Sequence, residues 1–114
     1  MQITIVDDAG ATAKVILNGK LDISGADKIA LPLATLAGGK SGVLVDMTAV
    51  TFLASIGIRH LVAASKALTR RGGRLVLLNP NPMVTDVLTT SGVAELMTIA
   101  RSDAEAAAAL GAQA

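Results

Sequence analysis

Polar and apolar side chains alternate over positions 2–6 (QITIV), the period of a strand that buries one face at the edge of a sheet. A turn at Asp8-Ala9-Gly10 follows, then a second apolar run at 13–17 (AKVIL), closed by Asn18-Gly19. The short connection predicts an antiparallel hairpin. Ile29, Leu33 and Leu36 then recur at helical spacing, with Ser24 and Asp27 resembling an N-terminal cap and Gly38-Gly39 an end. Pro32 interrupts that pattern, so the helix is expected to kink there or to begin its regular part nearby. Two continuous apolar runs, 42–46 (GVLVD) and 74–78 (RLVLL), have the pattern of strands buried on both faces. Between them a helix is expected from about Ser55 to Gly72-Gly73. Asn81 as cap and Pro82 at the first helical position start another helix, which stops at Gly92. A short strand at 97–100 and a last helix with a Ser102–Glu105 capping box complete the order β-β-α-β-α-β-α-β-α. The fold class is α/β: a mixed sheet of four to five strands, an N-terminal antiparallel hairpin followed by parallel strands, with about four helices.

Composition narrows the chemistry. The 114 residues fit one domain, 1–114, and 52% of them are hydrophobic, so a core is available. That core is aliphatic, because Phe52 is the only aromatic. A formal charge of +1 and the lack of stacking platforms argue against nucleic acid as a partner. No cysteine is present, which excludes disulfides, thiolate nucleophiles and thiolate metal sites. The start MQITIVDDAG has no basic region, so no signal peptide is expected there, and no apolar run has membrane-spanning length. The expectation is a cytoplasmic protein without membrane insertion, metal or cofactor.

Three candidate chemistries lack the geometry they need. The segment AGGKSG at 37–42 ends like a phosphate-binding loop, but it carries Ala34 where that pattern needs glycine. It also follows a helix and opens a strand, the reverse of the geometry required, so a polar turn is expected. His60, the only histidine, lies about 140° around its helix from Ser55, too far round for a serine–histidine pair. Asp22 and Asp46 each follow an expected strand and so fall near the same sheet end, where caps and turns are the usual role of carboxylates. Nothing here assembles an active site, and the chain is read as a binding module, not an enzyme.

The helix from Ser55 is the most informative segment. With Ser55 as origin, Ile58, Leu61, Val62, Ser65 and Leu68 fall on one arc that must face the sheet. Arg59, Lys66 and Arg70 form a basic stripe on its other side. Serine at a helix start is most simply a cap. The same place also offers free backbone N–H groups, the positive end of the helix dipole and Arg59 one turn along, all of which would hold a phosphate.

The segments GKLD at 19–22 and VLVDMTAVTFLASIGIRHLVAASKALTRRGGRLVLLNPNPMVTDVLTTSGVAELMTI at 43–99 resemble the STAS domain of bacterial anti-sigma factor antagonists. The resemblance runs from about Ala13 to Leu110, and Phe-Leu-x-Ser-x-Gly-Ile is its most specific part. It implies partner switching. The unmodified antagonist binds an anti-sigma factor that is also a serine kinase, which frees the sigma factor for transcription. Phosphorylation of a serine at the second helix releases the antagonist, and a phosphatase resets it. The matching acceptor is Ser55. The implied contact surface comprises Lys20, Leu21, Asp22, Ser24, Ala54, Ile56, Gly57 and Arg59. The family usually has an acid just before the serine and a small residue after it, where this chain has Ala54 and Ile56. An alternative is a STAS subunit that docks on a lipid or anion transporter with the same face and needs no phosphate.

Overall fold

The structure is a computed structural model that describes residues 1–7 and 10–111. Its elements are β1 (Gln2–Val6), β2 (Thr12–Leu21), α1 (Ile23–Gly39), β3 (Gly42–Leu53), α2 (Ser55–Arg70), β4 (Arg74–Leu78), α3 (Pro82–Thr90), a 3-10 turn (Val93–Glu95), β5 (Thr98–Ala100) and α4 (Asp103–Gly111). The five strands lie side by side in the order β1-β2-β3-β4-β5. β1 pairs antiparallel with β2, and all other pairs are parallel. The hairpin and the parallel sheet expected from the patterning are both present. The Asp8-Ala9 part of the expected turn lies outside the described residues.

The parallel connections each advance one strand along the sheet, and α1, α2 and α3 contribute to a single core cluster on one face, as crossovers of the usual right hand require. Their apolar stripes meet the sheet there. Ile29 and Leu33 of α1, Leu61 and Leu68 of α2, and Val84 and Leu88 of α3 pack with Val15, Leu17, Val43, Val45, Leu75 and Leu77. Side chains of a strand alternate between faces, so Val76 and Leu78 point the other way. There α4 covers them through Ala106, with Ala100, Leu44 and Leu110 alongside. This second layer is why RLVLL reads as continuously apolar.

Three boundaries differ from the sequence reading. Asn18-Gly19 does not end β2: the strand passes through it with register shifts on either side, and Gly19 takes φ +118°, open to glycine. β3 does not end at Asp46 but runs on to Leu53, burying Met47, Val50 and Leu53. Asp46 therefore lies within the strand, 4.0 Å from Lys14, and accepts the Thr48 N–H; it does not join Asp22 at the sheet end. α1 begins at Ile23 and includes Pro32 within one continuous helix. Its cap is Asp22, whose Oδ1 accepts the Gly25 N–H at 2.9 Å. Ser24 lies inside the first turn and caps nothing, because the carboxylate one residue ahead of the helix already occupies that role.

Candidate functional site at the carboxyl edge of the sheet

In a parallel sheet each helix starts where the preceding strand ends. The N-termini of α1, α2 and α3 therefore gather along one edge. Two are closed by side chains: Asp22 serves α1, and Asn81 Oδ1 accepts the Val84 N–H of α3 at 2.8 Å. The third is open. The residue in the cap position of α2 is Ala54, which has no side-chain acceptor, and no acid stands in the first turn. Ser55 follows as the first helical residue, exposed to solvent. The cap role expected for it is thus not the one it fills, and its hydroxyl has no hydrogen-bond partner among the described residues. Among the described residues no side chain accepts from the first-turn N–H groups, so the positive end of the dipole has no side-chain partner. Arg59, one turn along, is exposed and takes no part in either ion pair of the described residues.

The loop at the end of β2 is fastened to this helix start. The Ala54 N–H donates to the Leu21 carbonyl at 2.9 Å. Gly57 permits the approach: a Cβ there would stand 2.6 Å from Leu21 Cγ and 3.3 Å from its carbonyl oxygen. Leu21 is fully buried and Gly57 is buried too. These two of the expected contact residues shape the surface from beneath and offer no side chain to a partner. Asp22, Ala54 and Ile56 are half-buried, while Lys20, Ser24, Ser55 and Arg59 are exposed.

Three exposed apolar side chains on this edge escaped the sequence reading: Ile23 (72% exposed), Phe52 (46%) and Met83 (52%). They stand in the first turn of α1, at the end of β3 and in the first turn of α3. Phe52 is exposed beside buried Leu53 in a stretch where the strand's alternation is broken, with Thr51 exposed as well, so periodicity did not reveal it. A shallow groove of about 370 Å³ runs from Ser55 between α2 and α3, lined by Leu53, Ile58, Asp86, Val87, Thr90 and Ser91. The basic stripe is as expected, with Arg59, Lys66 and Arg70 exposed and the Ile58–Leu68 arc turned inward.

The other candidates fall elsewhere. Lys40 of AGGKSG lies at the opposite edge and donates to Asp7 Oδ1 at 2.6 Å and to the Gly10 carbonyl at 2.8 Å, so the segment is a clasped turn. His60 is half-buried on α2. A polar hollow of about 580 Å³ beside α3, lined by Thr48, Asn79, Asn81, Thr85, Asp86 and Arg101, was not foreseen. Arg101 Nη1 there donates to the Pro80 carbonyl and the Thr85 hydroxyl. Among the described residues no group of three or more His, Cys, Asp or Glu is placed to hold a metal ion, and no helix is long and apolar enough to cross a membrane.

Comparison with known proteins agrees with this architecture. The chain is 30% identical over 94 residues to BtrV of Bordetella bronchiseptica, which bears the name of an anti-sigma factor antagonist; the match spans 82% of this chain and 81% of that one. The unphosphorylated form of the anti-sigma factor antagonist SpoIIAA superimposes with a TM-score of 0.82 at 23% identity, covering 97% of each chain. A sulfate transporter family protein from Wolinella succinogenes superimposes with a TM-score of 0.77 at 17% identity, over 90% of this chain and 87% of the other. These two likenesses are of fold. Residues 2–106 match the family model for the STAS domain, and with the mixed five-stranded sheet, the four helices and the BtrV relationship in agreement, the chain belongs to the STAS domain family.

Proposed function

We propose that this protein is an anti-sigma factor antagonist acting in the cytoplasm by partner switching, with Ser55 as its switch. The observation that carries this reading is the open N-terminus of α2, the one of three neighbouring helix starts left without a side-chain cap. The exposed hydroxyl sits where a phosphate would meet first-turn N–H groups, the helix dipole and Arg59. Around it Ile23, Phe52 and Met83 supply apolar contact area, with Lys20, Ser24 and Arg59 at the rim. An anti-sigma factor with serine kinase activity fits both features. It docks on the edge, and in the kinase step the Ser55 oxygen attacks the γ-phosphorus of ATP. ADP leaves, and the hydroxyl proton passes to a base of the kinase. The product places nearly two negative charges in the middle of the contact surface, and the partner is expelled. A phosphatase restores the hydroxyl. The reading is supported by a solved structure of SpoIIAA in its phosphorylated form, to which this chain is similar in fold. The chain itself supplies binding and not catalysis, and it needs no cofactor.

The test is incubation with a candidate anti-sigma kinase and ATP, followed by mass mapping. Phosphate should appear on Ser55 and be lost in Ser55→Ala. Ser55→Asp should weaken binding by about tenfold or more, as expected when an unpaired charge is forced into the centre of an interface. Unchanged modification in Ser55→Ala refutes the switch.

One feature favours a second reading, a regulatory STAS subunit docked on a lipid or anion transporter. Ala54 removes the carboxylate that would assist a kinase, and Ile56 places a branched chain beside the acceptor. Both suit a face that docks permanently. Affinity capture separates the two, since recovery of a transporter subunit and no kinase supports the second.

A further inference from the structure

The sheet has two outer strands, β1 and β5, and they are protected differently. β5 is three residues long. β1 is five residues, QITIV, and contains no charge, proline or glycine. It pairs with β2 in unbroken register from Gln2↔Asn18 to Val6↔Lys14, so no bulge turns its outer side away. Among the described residues, the strand itself carries none of the charges, prolines or bulges that keep an edge from pairing. Its side chains are largely open, with Ile5 43% and Val6 52% exposed.

We propose that β1 is a self-association edge, on which a second copy of this chain pairs antiparallel about Thr4. The strand is complementary to itself in that register. A two-fold axis at Thr4 sets Thr4 opposite Thr4 of the second copy and Ile3 opposite Ile5. Ile3 and Ile5 lie on the helix-bearing face, as their partners Leu17 and Val15 show. Each exposed Ile5 is then covered by a β-branched neighbour, a favourable cross-strand pair. Charge does not oppose this. Among the described residues the nearest carboxylate, Asp7, is matched by Lys40 at 2.6 Å, and the axis holds the two Asp7 residues at opposite ends of the paired strands. The outer N–H and C=O groups of both copies gain partners, and two five-stranded sheets become one. Five residues of edge make a small interface, so the dimer is weak and concentration-dependent.

Sedimentation velocity of the full chain over a micromolar-to-millimolar series should show a monomer–dimer equilibrium. Thr4→Lys sets like charges directly opposite each other at the axis and should raise the dimer dissociation constant about tenfold. Thr4→Glu should do the same. Thr4 is exposed, so both variants are expected to keep the wild-type circular dichroism spectrum. An equimolar mixture of the two should restore association, because the charges at the axis become opposite. A wild-type chain that stays monomeric throughout, variants that associate as tightly as wild type, or a mixture that fails to recover would each overturn the proposal.

Discussion

Asn81 and Ser55 are polar residues at neighbouring helix starts, and they do opposite work. Asn81 lies just outside α3, closes its first turn and anchors it to β3 by donating to the Val50 carbonyl. Ser55 lies just inside α2, where its hydroxyl closes nothing. Asn81→Ala should therefore cost about 1 kcal/mol in urea unfolding, the usual worth of a cap. Ser55→Ala should change stability by less than about 0.5 kcal/mol, as at other surface positions. A residue with little structural work is free to serve as a chemical acceptor. Ala54→Asp would supply the missing cap and complement the dipole, and should stabilise the fold by about 1 kcal/mol. Both comparisons use unfolding midpoints at constant slope. The location of Ser55 was legible in the sequence, because the apolar arc and basic stripe of α2 fix its helix. Its lack of a cap role was not, since that depends on whether the helix starts before or after it.

At the scale of elements, the site depends on how closely the end of β2 approaches α2. Gly57→Ala puts a methyl group against Leu21 and should destabilise the fold by about 1 to 3 kcal/mol through overpacking. Leu21→Ala removes the obstruction while opening a cavity. The double variant should therefore be less unstable than the sum of the singles, a coupling that a double-mutant cycle measures. The element order was readable from periodicity, because strands buried on both faces and amphipathic helices have distinct signatures. The lengths of β2 and β3 were not. Gly19 looks like a stop until its left-handed φ is seen to continue the strand through an irregularity. Beyond Asp46 the buried positions fall at Met47, Val50 and Leu53, three apart, so the period of two that marks a strand is lost. The same misreading placed Asp46 at the sheet end and left Phe52 without an assigned element, when it stands on β3 and is exposed.

At the scale of the whole molecule, the two surfaces proposed here are separable. Ser55 follows β3, two strands in from the β1 edge. Ser55→Asp should leave the sedimentation behaviour unchanged while weakening the anti-sigma partner. Thr4→Lys should do the reverse, leaving partner affinity within about twofold, as expected for distant sites without shared contacts. A two-fold axis through β1 would also turn the two Ser55 ends in opposite directions, so one dimer presents two independent docking edges.

The single phenylalanine of the chain stands at the proposed docking edge, and the chain has neither tryptophan nor tyrosine. The protein is consequently dark under near-ultraviolet excitation, and any tryptophan emission in a mixture belongs to its partner. Fluorine introduced on Phe52 would give a single resonance located at the contact itself, which should shift when the partner docks and return when Ser55 is phosphorylated.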